Sequence, residues 1–385
     1  MKEKKELELY VHIPFCIRKC AYCDFLSGPA DDKTRQRYVD SLIHEIKGYK
    51  EAYDEYEIST VFVGGGTPSI LNSEQVASIF CALRESFSIK EEAEITMEVN
   101  PGTATEEKAT AWKKAGINRI SIGLQSVNDE ELKMLGRIHT YDTFCETYYM
   151  LRKIGFENIN IDLISAIPGQ TVESWRKTLH TIAKLDPEHI SAYSLIIEEG
   201  TPFYEMFEEG KEHDLPPLPD EEAERTIYEE TEIILNQYGY GRYEISNYAK
   251  EGYACKHNEG YWRRVDYLGI GLGSSSLIGH HRFHNPTEIL SYEKAIVEES
   301  SFHEDEENLS VTDEMEEFMF LGLRMMQGVS KDVFATTFHK NMDEIYGTVL
   351  HKLENLDLIE VNGDWVRLTK RGIDVSNYVF EQFLF

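Results

Sequence analysis

Short runs of strand length alternate with helical patterns through the first two hundred residues. The candidate strands are Leu7–His12, Thr60–Val63, Ile95–Val99, Arg119–Gly123, Asn158–Ile164 and His189–Ser194. Amphipathic helices are predicted between them at Lys33–Lys50, Ser73–Phe87, Glu106–Lys114, Asp129–Leu135, Tyr141–Ile154 and Thr171–Leu185. A strand–helix repeat of this kind predicts parallel βα units. Six units suit an open or partial barrel better than an eight-fold one, so the expected fold is α/β, a partial (β/α)6 TIM-like barrel.

Further along, Gly210, Pro216, Pro217 and Pro219 break any regular element and predict a linker at Glu208–Asp220. Glu221–Tyr238 returns to helical periodicity, and the Tyr-, His- and Gly-rich part up to His284 reads as irregular. The stretch Ser301–Glu317 carries eight acids and no Lys or Arg, an exposed acidic segment. Helices are expected at Asp313–Met326, Lys331–Phe338 and Met342–Leu356, then a hairpin over Leu358–Leu368 turning on Asn362-Gly363. Three helices and a wing make a winged-helix-like module. The expected division is a core over 1–208, an extension over 209–300 and a smaller α+β terminal region over 301–385.

Charge narrows the functions available. The 69 acidic against 39 basic residues leave a formal charge of −30, which repels phosphate backbones and anionic lipid surfaces. Nucleic acid is therefore excluded as an expected partner, despite the winged-helix pattern. The charged N-terminus leads directly into a strand, and no run of about 18 apolar residues is present to span a bilayer. A soluble, cytoplasmic protein is expected.

The polar residues that stand out fall at or just after strand ends. A cysteine loop follows the first strand, Gly64-Gly65-Gly66-Thr67-Pro68 the second, and Glu98-Val-Asn-Pro101 closes the third. Gln125 follows the fourth and Asp162 lies late in the fifth. In (β/α) barrels the active site is built at that rim, so five strands aim chemistry at one face.

Cys16, Cys20 and Cys23 supply the chemistry with three thiols on one short loop, spaced by three and then two residues. An all-protein cubane iron–sulfur site uses four thiolates, so three leave one iron open. A zinc site with His12 as fourth ligand is the alternative, but no second ligand knuckle is present. Among the other cysteines, Cys81 and Cys145 lie in apolar helical patterns and read as buried small hydrophobes, whereas Cys255 stands two residues before His257.

The cysteine spacing resembles that of the radical S-adenosylmethionine superfamily, in which the open iron is chelated by the cofactor's amino and carboxylate groups. Over essentially its whole length the chain looks like the oxygen-independent coproporphyrinogen oxidase branch. The resemblance implies a 4Fe–4S cluster on Cys16, Cys20 and Cys23. It also implies cofactor contacts from Tyr10, Tyr22, Gly65, Gly66, Thr67, Glu98, Gln125, Arg137 and Asp162. A glycine run lets backbone approach a ligand closely, and a carboxylate such as Glu98 can accept two ribose hydroxyls. Gly269-Ile-Gly-Leu-Gly273 lacks the context of a dinucleotide fingerprint and is expected to line the far side of the pocket or cap the barrel.

Two departures separate the chain from the oxidase. Phe25 stands where the oxidase has a further cysteine, and only about nine residues precede Tyr10 where the oxidase has an N-terminal extension. His257-Asn-Glu-Gly-Tyr-Trp262 matches the His-Asn-x-x-Tyr-Trp motif of the HemW-type haem chaperones. Imidazole is a good axial ligand for haem iron, and Tyr261 and Trp262 offer flat surface for a porphyrin. Cys255, His280, His281 and His284 are rival ligands. The resemblance thus implies haem as cargo, delivery to apo haem proteins such as respiratory membrane enzymes, and cluster-dependent homodimerisation. The alternative is the oxidase reaction, radical decarboxylation of coproporphyrinogen III to protoporphyrinogen IX. A winged-helix regulator sensing redox state is a third reading, disfavoured by the charge.

Overall fold

The computed structural model describes residues 4–207, 213–298 and 303–385. Gly210 of the expected linker, the expected boundaries near 208 and 300, and Ser301 and Phe302 of the acidic stretch lie outside them.

Six parallel strands form the centre: β1 (Lys5–Ile13), β2 (Tyr56–Gly65), β3 (Ile89–Val99), β4 (Arg119–Gln125), β5 (Asn158–Ser165) and β6 (His189–Ser194), adjacent in chain order. Helices α1 (Asp32–Gly48), α2 (Ser73–Ser86), α3 (Glu106–Ala115), α4 (Asp129–Met134), α5 (Tyr141–Ile154) and α6 (Val172–Ala183) make the crossovers. Each of the six predicted strands and helices overlaps its counterpart. Side-chain oxygens of Asp31, Asn72, Thr105, Thr140 and Thr171 cap α1, α2, α3, α5 and α6, satisfying amides that helix starts leave free.

Strand alternation sorts the side chains into two faces. Leu7, Leu9, Val11 and Ile13 of β1 join the core beneath the helices. Glu8, Tyr10 and His12 fall on the opposite, inner face, in register with Thr60, Phe62 and Gly64 of β2. Glu94, Thr96 and Glu98 continue those rows across β3.

The part expected to be irregular instead extends this sheet at both edges. After α7 (Pro202–Phe207) and α8 (Glu221–Gln237), strands β7 (Gly241–Glu244) and β8 (Asn247–Ala249) add antiparallel to β6. Helix α9 (Lys256–Trp262) follows, then β9 (Tyr267–Ile270) joins β1 in parallel. Strands β10 (Ser275–Ile278) and β11 (His281–His284) extend that edge, and helix α10 (Ile289–Val297) leads to β12 (Glu304–Asn308) at its limit. These strands are three to five residues long and are held by pairing onto an existing edge, so they lack a period-two pattern of their own. Among the described residues the sheet has twelve strands and runs from β12 to β7 without those ends pairing, an open and not a closed barrel. All five residues of β12 are exposed, as expected of the acidic segment. Charge on an edge strand discourages further pairing.

The C-terminal module has its own core. It comprises α11 (Val311–Gly322), β13 (Val329–Ser330), α12 (Lys331–Phe338), α13 (Met342–Asn355), β14 (Ile359–Asn362), β15 (Trp365–Leu368), α14 (Lys370–Asp374) and α15 (Ser376–Glu381). Asn362 pairs with Trp365, so the hairpin turns on Gly363-Asp364 and not on Asn362-Gly363. Gly363 at φ +60° supplies the conformation such a turn needs.

Two other expectations change. Cys81 is exposed and its thiol faces Glu85 at 3.4 Å. Val76, Ile79, Phe80 and Leu83 already fill the buried stripe of α2, which leaves position 81 on the outer side. The Gly269–Gly273 segment ends β9 and packs on α1, where Gly271 N–H donates to buried Glu45 at 2.9 Å and Leu272 N–H to the Tyr38 hydroxyl at 3.0 Å.

Candidate functional site

The loop after β1 is fixed from several sides before it reaches the thiols. Cys16 N–H donates to Gly28 O at 2.9 Å and Gly28 N–H to Pro14 O at 3.0 Å, which closes the loop on itself. Ala21 N–H donates to Leu135 O, and Phe203 N–H to Ala21 O. His12 lies under the loop with Nε2 2.9 Å from Leu26 O and Nδ1 3.0 Å from the Tyr10 hydroxyl. Both ring nitrogens are engaged, so His12 is a prop for the loop and is not free to ligate zinc.

The glycine run after β2 lies against the start of that loop. Gly66 N–H donates to Ile13 O and Thr67 N–H to Phe15 O. A Cβ on Gly66 would stand 2.8 Å from Phe15 O and 2.9 Å from Phe15 N, so glycine is required by close backbone contact. Gly65 sits at φ +106° and donates its N–H to Glu98 Oε2 at 3.1 Å.

These elements enclose a cavity of about 480 Å³, within the usual range of small-molecule sites. Cys16, Cys20, Cys23 and Tyr22 line it together with Gly65, Gly66, Thr67, Glu98, Gln125, Arg137 and Asp162. Eleven expected residues therefore meet at one opening, ten from the ends of five strands and Arg137, which follows α4, from the resemblance. Tyr10 lies one layer lower, below His12. Gln125 holds φ +78°, a strained backbone for a non-glycine residue, at the end of β4.

Electrostatics in the cavity work against the charged forms of two acids and one thiol. Desolvation, with the charge of Asp162 adding to it, pushes the Glu98 carboxyl up to about 8, although the Gly65 N–H opposes the shift. Burial also raises Asp162, against hydrogen bonds from Ser121 at 2.9 Å and Asn160 at 2.7 Å. Burial raises the Cys23 thiol, and the neighbouring Cys20 and Cys16 add to the shift. A cationic ligand or metal centre would relieve all three.

The donor set fits a cluster with an open position. Three thiols line the cavity, and the other described lining residues include no further cysteine and no histidine. Among the described residues no three His, Cys, Asp or Glu side chains converge on a point suited to one ion. Thiolates of a cubane each bind a different iron and need no such convergence. Thr67 Oγ donates to Cys16 Sγ at 3.4 Å and Arg137 to Cys20 Sγ at 3.6 Å, contacts suited to anionic sulfur.

Asn100, in the Glu98-Val-Asn-Pro101 segment but not among the expected contacts, bonds both Thr67 and Arg137 at 2.7 Å. Its position two residues after Glu98 at a strand end was the available signal, since period two returns the chain to the same face.

The His257 segment is elsewhere. Helix α9 lies against the inner face of the barrel, where His257 is 2% exposed. Its Nδ1 is 2.7 Å from Thr60 Oγ and its ring stacks on Phe62 at 5.1 Å. Burial lowers the imidazole to about 3, with Arg119 adding to the effect. Tyr261 meets His257 and Tyr267 edge-on, and Arg324 of the C-terminal module covers Trp262 at 4.3 Å. The surface expected for a porphyrin is thus taken up by packing within the fold. Polar side chains are common on this inner face, so an inward histidine is favoured here over a solvent-facing one. Of the rival ligands, Cys255 is buried against Glu94, and His280, His281 and His284 pair with Glu314, Glu306 and Asp305.

Comparison with known proteins agrees with this geometry. A profile described as the Radical SAM superfamily matches residues 10–182, and one described as the HemN C-terminal domain matches residues 309–375. The solved structure of coproporphyrinogen III oxidase HemN of Escherichia coli, described as a Radical SAM enzyme, superposes with a TM-score of 0.86. It is 25% identical and the match covers 99% of this chain and 90% of that one. Heme chaperone HemW of Lactococcus lactis is 36% identical over 99% of this chain and 98% of its own, and that of Bacillus subtilis 35% over 97% and 98%. Its Escherichia coli counterpart is 40% identical over 70% of this chain and 69% of its own. The chain therefore belongs to the HemW family within the radical S-adenosylmethionine superfamily.

Proposed function

We propose that this protein is a haem chaperone that carries one 4Fe–4S cluster on Cys16, Cys20 and Cys23 and delivers haem to apo forms of haem proteins. The carrying observation is full-length identity of about one third to proteins named Heme chaperone HemW. When bound, the cluster would supply an open iron and one-electron chemistry. S-adenosylmethionine would occupy the cavity, its ribose on Glu98 and Asp162 and its amino acid part near Gly65, Gly66, Thr67 and Arg137. Tyr10, Tyr22 and Gln125 would shape the remaining wall.

Under this reading His257, Tyr261 and Trp262 serve haem only if α9 leaves the barrel, and in the folded chain they secure the floor and the C-terminal module. The core, the extension and the terminal module are proposed as functional divisions at 1–208, 209–300 and 301–385, the extension completing the core's sheet. Cluster thiols require reducing surroundings, which supports a cytoplasmic site of action. Among the described residues no helix is long and apolar enough to cross a membrane. Respiratory membrane enzymes as recipients and a cluster-dependent homodimer belong to the same proposal.

The competing oxidase reading is favoured by the TM-score of 0.86 with HemN. Anaerobic reconstitution followed by parallel assays of haem binding and coproporphyrinogen III turnover separates them. Stoichiometric haem binding without turnover is expected. Rapid protoporphyrinogen production without haem binding would reverse the assignment.

A further inference from the structure

The geometry points to Asn100 as a positioning residue that sets the direction of the hydrogen bonds reaching two cluster thiolates. Its backbone is held first. Asn100 N–H donates to Ser69 Oγ at 3.1 Å, and its carbonyl accepts from the Thr103 hydroxyl at 2.7 Å. The side chain is thereby placed between the glycine run and Arg137.

Polarity then propagates from the arginine. A guanidinium only donates, so the oxygen of the Asn100 amide must face Arg137 Nη2, at 2.7 Å. The amide nitrogen consequently faces Thr67 and donates to Oγ at 2.7 Å. With its oxygen accepting, the Thr67 hydroxyl directs its single proton at Cys16 Sγ, 3.4 Å away. The other arm of the same guanidinium reaches Cys20 Sγ at 3.6 Å. A further bond from Arg137 Nη2 to Gly123 O at 2.6 Å fixes the fork. One carboxamide thus couples the donors of two separate thiols.

The consequence is electronic. Hydrogen bonds to cluster sulfurs help set the reduction potential, because a donor stabilises the added charge of the reduced state. Asn100 acts through Thr67 and touches no thiol itself. Asn100→Asp keeps the shape but offers two acceptors, so the Thr67 proton turns from Cys16 to the new carboxylate. Thr67→Val removes the same proton without adding charge, and Thr67→Ser restores it.

The test is an EPR-monitored redox titration of anaerobically reconstituted full-length protein without S-adenosylmethionine, with iron per chain measured in parallel. Asn100→Asp and Thr67→Val should each move the midpoint negative by a roughly tenfold change in the reduction equilibrium, about 59 mV for one electron. Iron content should stay at the wild-type level, and Thr67→Ser should return the wild-type midpoint. The Asn100→Asp/Thr67→Val double variant should shift by less than the sum, since both act on one proton. An unmoved midpoint in either single variant, or additive shifts, overturns the relay. Because the inference rests on the cluster assignment, wild-type protein that takes up no iron defeats that assignment and the relay together, whereas iron uptake with an unmoved midpoint defeats the relay alone.

Discussion

Thr60 Oγ and His257 Nδ1 lie 2.7 Å apart inside the barrel, joining β2 to the helix that carries the His-Asn-x-x-Tyr-Trp motif. The opposite ring nitrogen is buried and has no hydrogen-bond partner among the described residues. Truncation to alanine would remove the Thr60 contact and the stack on Phe62, leaving a void. Large-to-small core changes of this kind cost roughly 2–5 kcal/mol. His257→Ala is therefore expected to lower the thermal midpoint by several degrees while the Soret band of haem-loaded protein stays at its wild-type position. A displaced Soret band would mean that α9 leaves the floor and presents His257 to haem iron.

Directly beside this histidine, Glu8 predicts an alkaline weakness. It is 2% exposed, and burial raises its carboxyl to about 9 from an ordinary value of 4.5. The native state keeps the proton that the unfolded chain releases, so this group's contribution is complete below about 4.5 and is lost as pH rises towards 9. His257 acts in the other direction, its contribution present above 6.5 and lost as pH falls towards 3. Glu8→Gln should melt above wild type by a few degrees at pH 8.5, with the gap closing by pH 5. Parallel melting curves at both pH values would remove Glu8 from the account.

The six βα units were legible because each buried strand and helix repeats its own period, as in Asn-Ile-Asn-Ile-Asp-Leu-Ile-Ser of β5. The rim residues followed from strand ends, which place them before any contact is known. Strands β7 to β11 were not legible, because their stability comes from neighbours far away in the chain. Cys81 is exposed for a related reason, since an apolar helix pattern does not say which member sits outside the stripe. His257 shows the limit of a motif most clearly. Residue identities at fixed spacing do not reveal whether a polar group faces solvent or a polar barrel interior.

Close backbone contact at Gly66 makes a sharper prediction about the site. An added methyl would lie within 3.0 Å of Phe15 N, Phe15 O and Ile13 O, all backbone atoms that cannot rotate away. Gly66→Ala should displace the start of the cysteine loop and reduce iron per chain by more than half after reconstitution. Gly48→Ala, where nothing lies within 4 Å, is the matched control and should retain wild-type iron. Equal iron in the two variants would show that the loop tolerates the displacement.

With S-adenosylmethionine in the cavity as proposed, the carboxyl of Glu98 would link its affinity to pH. Desolvation first and the charge of Asp162 second raise it to about 8, so the acid is largely protonated at neutral pH before a ligand arrives. S-adenosylmethionine brings a sulfonium cation and a ribose whose hydroxyls are better accepted by an ionised carboxylate. Binding should therefore release a proton and strengthen as pH rises from 6.5 to about 8, then level off. Glu98→Gln removes the titrating group and leaves one amide oxygen to accept. Charge-assisted hydrogen bonds contribute about 1.5–3 kcal/mol, so the variant should bind at least tenfold more weakly at pH 8.5, with a flattened pH profile. Isothermal titration of reconstituted protein in buffers of different ionisation enthalpy measures both the affinity and the released proton. Asp162→Asn should weaken binding and, by removing a charge that raises Glu98, move the slope to lower pH without abolishing it; a slope that vanishes with Asp162→Asn and survives Glu98→Gln would transfer the proton to Asp162.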